Sequence, residues 1–199
     1  MDRFTAEQKI YKIGKREIGG RPGELPTVLI GSIFFEGHRI VSDPVKGLFD
    51  REKARILLEK AKDASLKNGN PGFIDVIGGT YEALIKYTEF VAAKSDEPIL
   101  IDSFSQKVRM EALKYFSDSE ITERLIYNSS AEDFTEEELA CIKESGVKSA
   151  VIMAFSPKAL KPQSRITLLK EKLLPAARRP TPFSPGKSFE ARRNLFSSR

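Results

Sequence analysis

The chain has 199 residues, 40% hydrophobic and 31% charged, with one cysteine, one histidine and a formal charge of +5. That length suits one domain, and the composition is that of a soluble globular protein rather than a disordered one. One cysteine (Cys141, on a predicted helix face) rules out a disulfide framework and fits a reducing, cytoplasmic setting; with His38 as the only histidine, a dedicated zinc or haem site is not expected.

No apolar run approaches the roughly 20 residues of a bilayer span. The N-terminal MDRFTAEQKIYKIGKRE lacks the apolar centre of a secretory signal. The net charge is local: from Arg178 onward, Arg178, Arg179, Lys187, Arg192, Arg193 and Arg199 stand against Glu190 alone and account for all of it. The remaining body is balanced and has no electrostatic footprint for nucleic acid.

The first twenty residues predict a short hairpin, Gln8 to Ile13 and Glu17-Ile18 flanking a turn at Gly14-Lys15, followed by the connector GRPGELP. A βα rhythm then begins. TVLIGSIFF (Thr27–Phe35) reads as a strand buried on both faces. Asp50 caps a helix carrying Ala54, Leu57, Leu58, Ala61 and Ala64 on one face.

GFIDVIGG (Gly72–Gly79) is the second strand, and Thr80 caps a helix running to Val91-Ala92. PILIDS and RLIYNS (Arg124–Ser129) are the third and fourth strands. Thr135 with Glu138 predicts a capping box, and Phe134 with Leu139 a hydrophobic staple. KSAVIMAFS (Lys148–Ser156) is the fifth strand, and a helix over Ile166–Leu174 follows. Apolar strands alternating with amphipathic helices predict a parallel α/β sheet, either doubly wound or a barrel.

In both architectures ligands meet the carboxyl ends of the strands. Those ends read Glu36-Gly37-His38, Gly78-Gly79, Asp102-Ser103, Asn128-Ser129-Ser130 and Ser156-Pro157. Each has an ordinary explanation. Asp102 or Ser103 can cap the following helix, the Asn-Ser run can be a turn, and the glycines can make a tight bend. Capping does not, however, demand an acid and an amide at neighbouring exits. An ionised carboxylate accepts from adjacent ring N–H groups, and an amide both donates and accepts, which suits the 2-amino-4-oxopyrimidine edge of a pterin. Asp75 lies inside its strand, and the pattern does not say which way it points.

The segments GGRPGELPTVLIGSIFFEGHRIVSD, GLFDREKA, EPILIDS…KVR and RLIYNSSAEDFTEEELACIKES closely resemble the H subunit of tetrahydromethanopterin S-methyltransferase, from about Phe4 to Phe155. The wider family comprises methyl-tetrahydropterin:corrinoid protein methyltransferases on TIM (β/α)8 barrels. The resemblance implies transfer of a methyl group from N5 of methyl-tetrahydromethanopterin, or of methyl-tetrahydrofolate in the bacterial branch, to the Co(I) cobamide of a partner protein. It further implies that Asp102 and Asn128 bind the pterin and that Ser103 and Ser129 accompany them. Gly78, Gly79 and Glu36 are further rim candidates. The implied setting is methanogenesis, in an oligomeric assembly that is cytoplasmic and peripheral to a membrane complex.

The sequence departs from that pattern late. A (β/α)8 barrel takes about 250 residues, and five strands precede Pro175. The N5-facing residues would lie on later strands. RRPTPFSPGKSFEARRNLFSSR has no strand or helix period and does not resemble the family, as a truncated or frameshifted end would not. The organisation expected is a hairpin and connector over 1–22, a partial barrel over 23–177 and an irregular basic tail over 178–199. Open edges at the first and fifth strands would make such a chain aggregation-prone alone. The competing readings are an inactive barrel fragment and a non-enzymatic α/β binding module that uses the tail as a docking arm. A phosphate-binding barrel lacks support, because GNPG precedes its strand instead of following it.

Overall fold

The computed structural model describes residues 7–178. It opens with the predicted hairpin, β1 (Ile10–Ile13) and β2 (Arg16–Gly19), which turns at Gly14 with φ +55°. β3 (Leu29–Ile33) is shorter than the apolar run because the backbone leaves the strand at Phe34, where φ is +69°. That conformation costs a non-glycine residue of order 1–3 kcal/mol. It is offset by the Phe34 ring, which is buried, stacked on Tyr87 at 4.3 Å and edge-on to Phe49 at 4.7 Å.

A second hairpin, β4 (Val41–Asp43) and β5 (Leu48–Phe49), has no strong signal in the sequence. Asp43 makes its turn by accepting from the N–H groups of Val45 and Lys46. Gly47, at φ +65°, rests on the next-but-one helix so closely that a Cβ would lie 2.6 Å from Ala83 Cα.

The βα units follow as predicted. α1 (Arg51–Asn68) is capped by Asp50, which accepts from Lys53 N–H at 3.0 Å. β6 (Gly72–Ile77) leads to α2 (Tyr81–Lys94), capped by Thr80. β7 (Ile99–Asp102) leads to α3 (Gln106–Tyr115), and β8 (Leu125–Ser130) to α4 (Glu136–Glu144). β9 (Ser149–Ile152) precedes α5 (Pro162–Leu168), a π-helical turn (Leu169–Leu173) and α6 (Leu174–Arg178). The last helical stretch therefore begins before Ile166. It is widened where Leu174 N–H donates to Leu169 C=O, just ahead of Pro175, which has no N–H to give. Apart from Arg178, which closes α6, the basic tail lies outside the described residues.

The main sheet is parallel, in the order β3-β6-β7-β8-β9. Sequence order and spatial order coincide, so there is no switch point, and the helices pack on one face. On that face Ile74, Val76, Ile99, Ile101, Leu125 and Tyr127 join helix residues such as Leu84, Phe90 and Leu113 in one core. A singly wound arc of this kind is consistent with part of a barrel. The expectation that the first strand is buried on both faces fails. Leu29 and Ile30 of β3 are 55% and 57% exposed, because β3 is an edge strand with β6 as its one neighbour in the sheet. Full burial belongs to the central β6, β7 and the first half of β8.

The opposite face has its own small floor near the N-terminal ends of the strands. Ile13 of the first hairpin is 7% exposed and packs with Phe73, Leu100 and Ile126. The hairpin is pinned there by polar contacts to the turns before β7 and β8. Arg16 makes a two-pronged ion pair with Glu97, Lys15 pairs with Asp96 at 3.2 Å, and Gly14 N–H donates to Glu123 C=O. A Cβ at Gly14 would lie 2.9 Å from Arg124 Cβ, which explains the glycine.

Ile13→Ala should therefore cost about 2–4 kcal/mol, as for a truncated core aliphatic. Urea denaturation is the check, and a loss under about 1 kcal/mol would mean the hairpin is not part of the core.

Candidate functional site

Side chains alternate across a strand, and partners in a parallel ladder share a face. β7 and β8 pair Ile99 with Leu125, Leu100 with Ile126, Ile101 with Tyr127 and Asp102 with Asn128. The first and third of these pairs face the helices. Leu100, Ile126, Asp102 and Asn128 face the other way, with the first two in the floor and the last two at the C-terminal exits. The acid and the amide are thus lateral neighbours above an apolar base.

Two further residues join them, neither of which the sequence resolves. Asp75 of β6 pairs with Ser32 of β3 on one side and Leu100 of β7 on the other, so it lies on this same face. It is 6% exposed and accepts from Ser32 Oγ–H at 2.7 Å and from Asn128 Nδ2–H at 3.2 Å. The second bond fixes the amide: one N–H is spent on Asp75, and Oδ1 and the other N–H remain for a ligand. The strand period alone could have assigned Asp75 to this face, given a register for β6.

Asp102 does not cap α3. That cap is Ser105, whose side chain accepts from Val108 N–H, and Ser103 Oγ is spent on Ser105 N–H at 3.3 Å. Ser103 is buried and belongs to the turn rather than to the open face. Half-buried Asp102 is pushed up to about 6, first by burial and next by the negative charge of Asp75. Arg109 and the Ser103 N–H pull the other way.

At the neighbouring exit the β8–β9 ladder pairs Tyr127 with Ala150 and then Ser130 with Ile152. Two residues, Asn128 and Ser129, oppose one on β9. This is a bulge, a device that re-aims side chains. Ser129 is half-buried and makes no side-chain hydrogen bond among the described residues.

The other rim candidates separate. Gly78 is buried where a Cβ would lie 2.8 Å from Leu84 Cα, so its role is close approach of the strand exit to α2. Gly79 is exposed with open space where a side chain would be. Glu36 is exposed in the loop after β3 and has no hydrogen bond or ion pair among the described residues. Two hollows lie away from this face. A cavity of about 150 Å³ sits between α4, β9 and the π-helical turn, and a groove of about 520 Å³ runs along Phe49, Arg51, Lys86 and Phe90. The acid–amide face is where the polar groups Asp75, Asp102 and Asn128 converge.

Behind this face is a buried polar network. Thr135 caps α4 as predicted, accepting from Glu138 N–H at 3.1 Å. The Glu138 carboxylate does not complete the box. It is 1% exposed and accepts from Gln106 Nε2 at 2.7 Å, Arg109 Nη2 at 3.2 Å and the Tyr127 hydroxyl. Charge-assisted bonds in the interior outcompete a surface return to the cap. Burial, together with the bond to Glu138, pushes the Tyr127 phenol up, so it stays a donor.

The geometry defines an α/β protein with a polar face at the strand exits, the place where barrel enzymes bind ligands. Residues 6–178 match the family model described as tetrahydromethanopterin S-methyltransferase MtrH subunit, and the chain belongs to that family. It is 39% identical over 165 residues to the H subunit of tetrahydromethanopterin S-methyltransferase from Methanopyrus kandleri, covering 83% of this chain and 51% of that one. The corresponding protein of Methanothermobacter thermautotrophicus is 40% identical over 157 residues, 79% of this chain and 51% of the relative. The H subunit of the mtx methyltransferase from Methanosarcina mazei is 39% identical over 170 residues, 85% and 55% respectively. The chain thus spans about half the length of the relatives it matches. Among the described residues no helix is long and apolar enough to cross a membrane.

The raised Asp102 has a stability consequence. Its folded value, about 6, exceeds its ordinary 3.8, so the folded state holds the proton more tightly. The stability linked to that proton is complete below about pH 4 and is lost as pH rises through about 6. Asp102→Asn, which mimics the neutral acid, should therefore be more stable than the parent at pH 7. The gain is about 1–2 kcal/mol after allowing for partial solvent access, and it should vanish near pH 4. Denaturation at both pH values decides this. Asp75→Asn should move the Asp102 titration, followed by carboxyl-carbon NMR, down toward the ordinary carboxylate range, because a like charge is removed.

Proposed function

We propose that the face carrying Asp102 and Asn128 binds the pyrimidine edge of a methyl-tetrahydropterin, and that the chain is the pterin-binding part of a methyltransferase acting in methanogenesis. The observation that carries this reading is the lateral pairing of Asp102 with Asn128 on one sheet face, in a chain of the MtrH family.

The chemistry fits the groups. The ionised Asp102 accepts from the 2-amino group and the adjacent ring N–H, and Asn128 Oδ1 with its free N–H addresses a neighbouring ring donor and acceptor. Asp75 and Ser32 hold the amide so that it is ordered before the ligand arrives. The apolar floor of Phe73, Leu100 and Ile126 keeps water from beneath the ring and strengthens those bonds. Orientation of this kind lowers the entropic part of a transfer barrier.

The relatives are named for tetrahydromethanopterin, which favours that pterin over the folate form as the methyl donor. The acceptor in this reading is the Co(I) of a cobamide on a partner protein, which supplies the nucleophile. This chain supplies the grip on the donor. Leaving-group stabilisation at N5 falls to residues beyond the five described parallel strands. Residues 23–177 then form an arc of a (β/α)8 barrel, preceded by the hairpin and connector of 1–22 and followed by a basic tail over 178–199. The partners are corrinoid protein and fellow subunits of an oligomeric complex, with the chain cytoplasmic and peripheral to a membrane assembly.

Calorimetric titration with methyl-tetrahydromethanopterin tests the assignment. Asp102→Ala should bind at least about tenfold more weakly than the parent. Affinity of the parent should fall as pH drops below about 6, where the carboxylate gains its proton. Equal binding by both proteins would remove Asp102 from the site.

A further inference from the structure

We infer that Arg109 is a positioning residue for the acid–amide pair, holding from the far side of the sheet the backbone carbonyl next to Asp102 and the Tyr127 side chain next to Asn128. The inference rests on the pterin reading above and adds to it a residue that never touches the ligand.

The guanidinium is planar and uses three of its corners. Nη1–H donates to the Ser103 carbonyl, Nε–H to the Tyr127 hydroxyl at 3.1 Å, and Nη2–H to Glu138 Oε1 at 3.2 Å. Its carbon lies 5.3 Å from the centre of the Tyr127 ring. Ser103 directly follows Asp102, and Tyr127 directly precedes Asn128. In a pleated sheet, neighbours along a strand face opposite sides. One rigid cation on the helix side therefore grips the residue next to each ligand-facing group.

Glu138 anchors the cation. It is 1% exposed, is tied to Gln106 as well, and has left its place in the capping box to be there. Stability alone does not account for the arrangement, because an apolar trio of similar volume would hold α3 against α4 at least as well as a buried ion pair. A fork of fixed geometry does what apolar packing does not: it sets the height of one strand exit relative to the next. The charge also acts through the sheet. Arg109 pulls the Asp102 carboxyl down, against burial and against Asp75, and so keeps more of it ionised near neutrality.

The test compares Arg109→Lys, Glu138→Gln and Tyr127→Phe by titration with methyl-tetrahydromethanopterin from pH 5 to 8, each with its urea denaturation curve. Lysine keeps the charge and loses the fork, so R109K should bind about tenfold more weakly across the pH range. E138Q should fall between R109K and the parent, and it serves in place of R109K should that variant not fold. Y127F keeps the Ser103 clamp and loses the hold beside Asn128; it should bind about threefold more weakly than the parent, displace the Asn128 side-chain amide signals and leave the Asp102 carboxyl signal in place.

A merely structural network would make affinity follow stability through all three variants, and that pattern would overturn the inference. Binding of the parent and of Asp102→Ala identifies failure of the pterin reading separately. Even then, carboxyl NMR of Asp102 and the side-chain amide signals of Asn128 decide the matter. Unchanged signals in folded R109K or E138Q would overturn a positioning role, and displaced signals would support it.

Discussion

A parallel ladder decides which side chains meet. Once Ile101 pairs with Tyr127, Asp102 must pair with Asn128, and both must face away from the helices. A slip of either strand by one residue would turn its polar group into the helix-side core and bring its Ile101 or Tyr127 onto the open face. The apolar runs ahead of these residues, Ile99 to Ile101 and Leu125 to Tyr127, are buried and hold the register. The site is therefore as firmly specified as the core itself, although its members are polar and partly exposed.

The two faces of β7 and β8 carry opposite solutions to the same problem. On the helix side Arg109, Tyr127, Glu138 and Gln106 satisfy one another inside the core. On the other side, Asp75 is satisfied by Ser32 and Asn128, while Asp102 is left with one backbone N–H and a like-charged neighbour. Unmet demand at a strand exit is costly to the fold and is what a ligand with N–H donors would relieve. In the proposed reading, stability and binding pull in different directions at Asp102.

Much of this was legible in the chain. The βα rhythm, the caps at Asp50, Thr80 and Thr135 and the first hairpin follow from period and turn chemistry alone; the order of the strands does not, since the pattern allows a doubly wound sheet as well as a barrel. The acid and amide stood out because capping does not need that pair at adjacent exits. What sequence did not reveal is non-local. Asp75 is one acid in an apolar run until a register gives it a face. The edge exposure of Leu29 and Ile30 depends on which strands lie beside β3. Glu138 has the spacing of a capping box, and only the spatial nearness of Arg109 and Tyr127 draws it inward. The second hairpin depends on Gly47 lying against Ala83, a contact far apart in sequence. The exit of β3 at Phe34 depends on an aromatic stack with Tyr87 of α2, five elements further along the chain.

The placement of the polar pair on inner strands also bears on motion. Among the described residues β3 and β9 each pair on one side, whereas β7 and β8 pair on both. Fraying from the rims inward can release the outer strands while leaving the middle of the sheet closed, so backbone amides there exchange with solvent only in the rarest, most global openings. The relative placement of Asp102 and Asn128 is thus insulated from the protein's everyday breathing and persists for as long as the fold does.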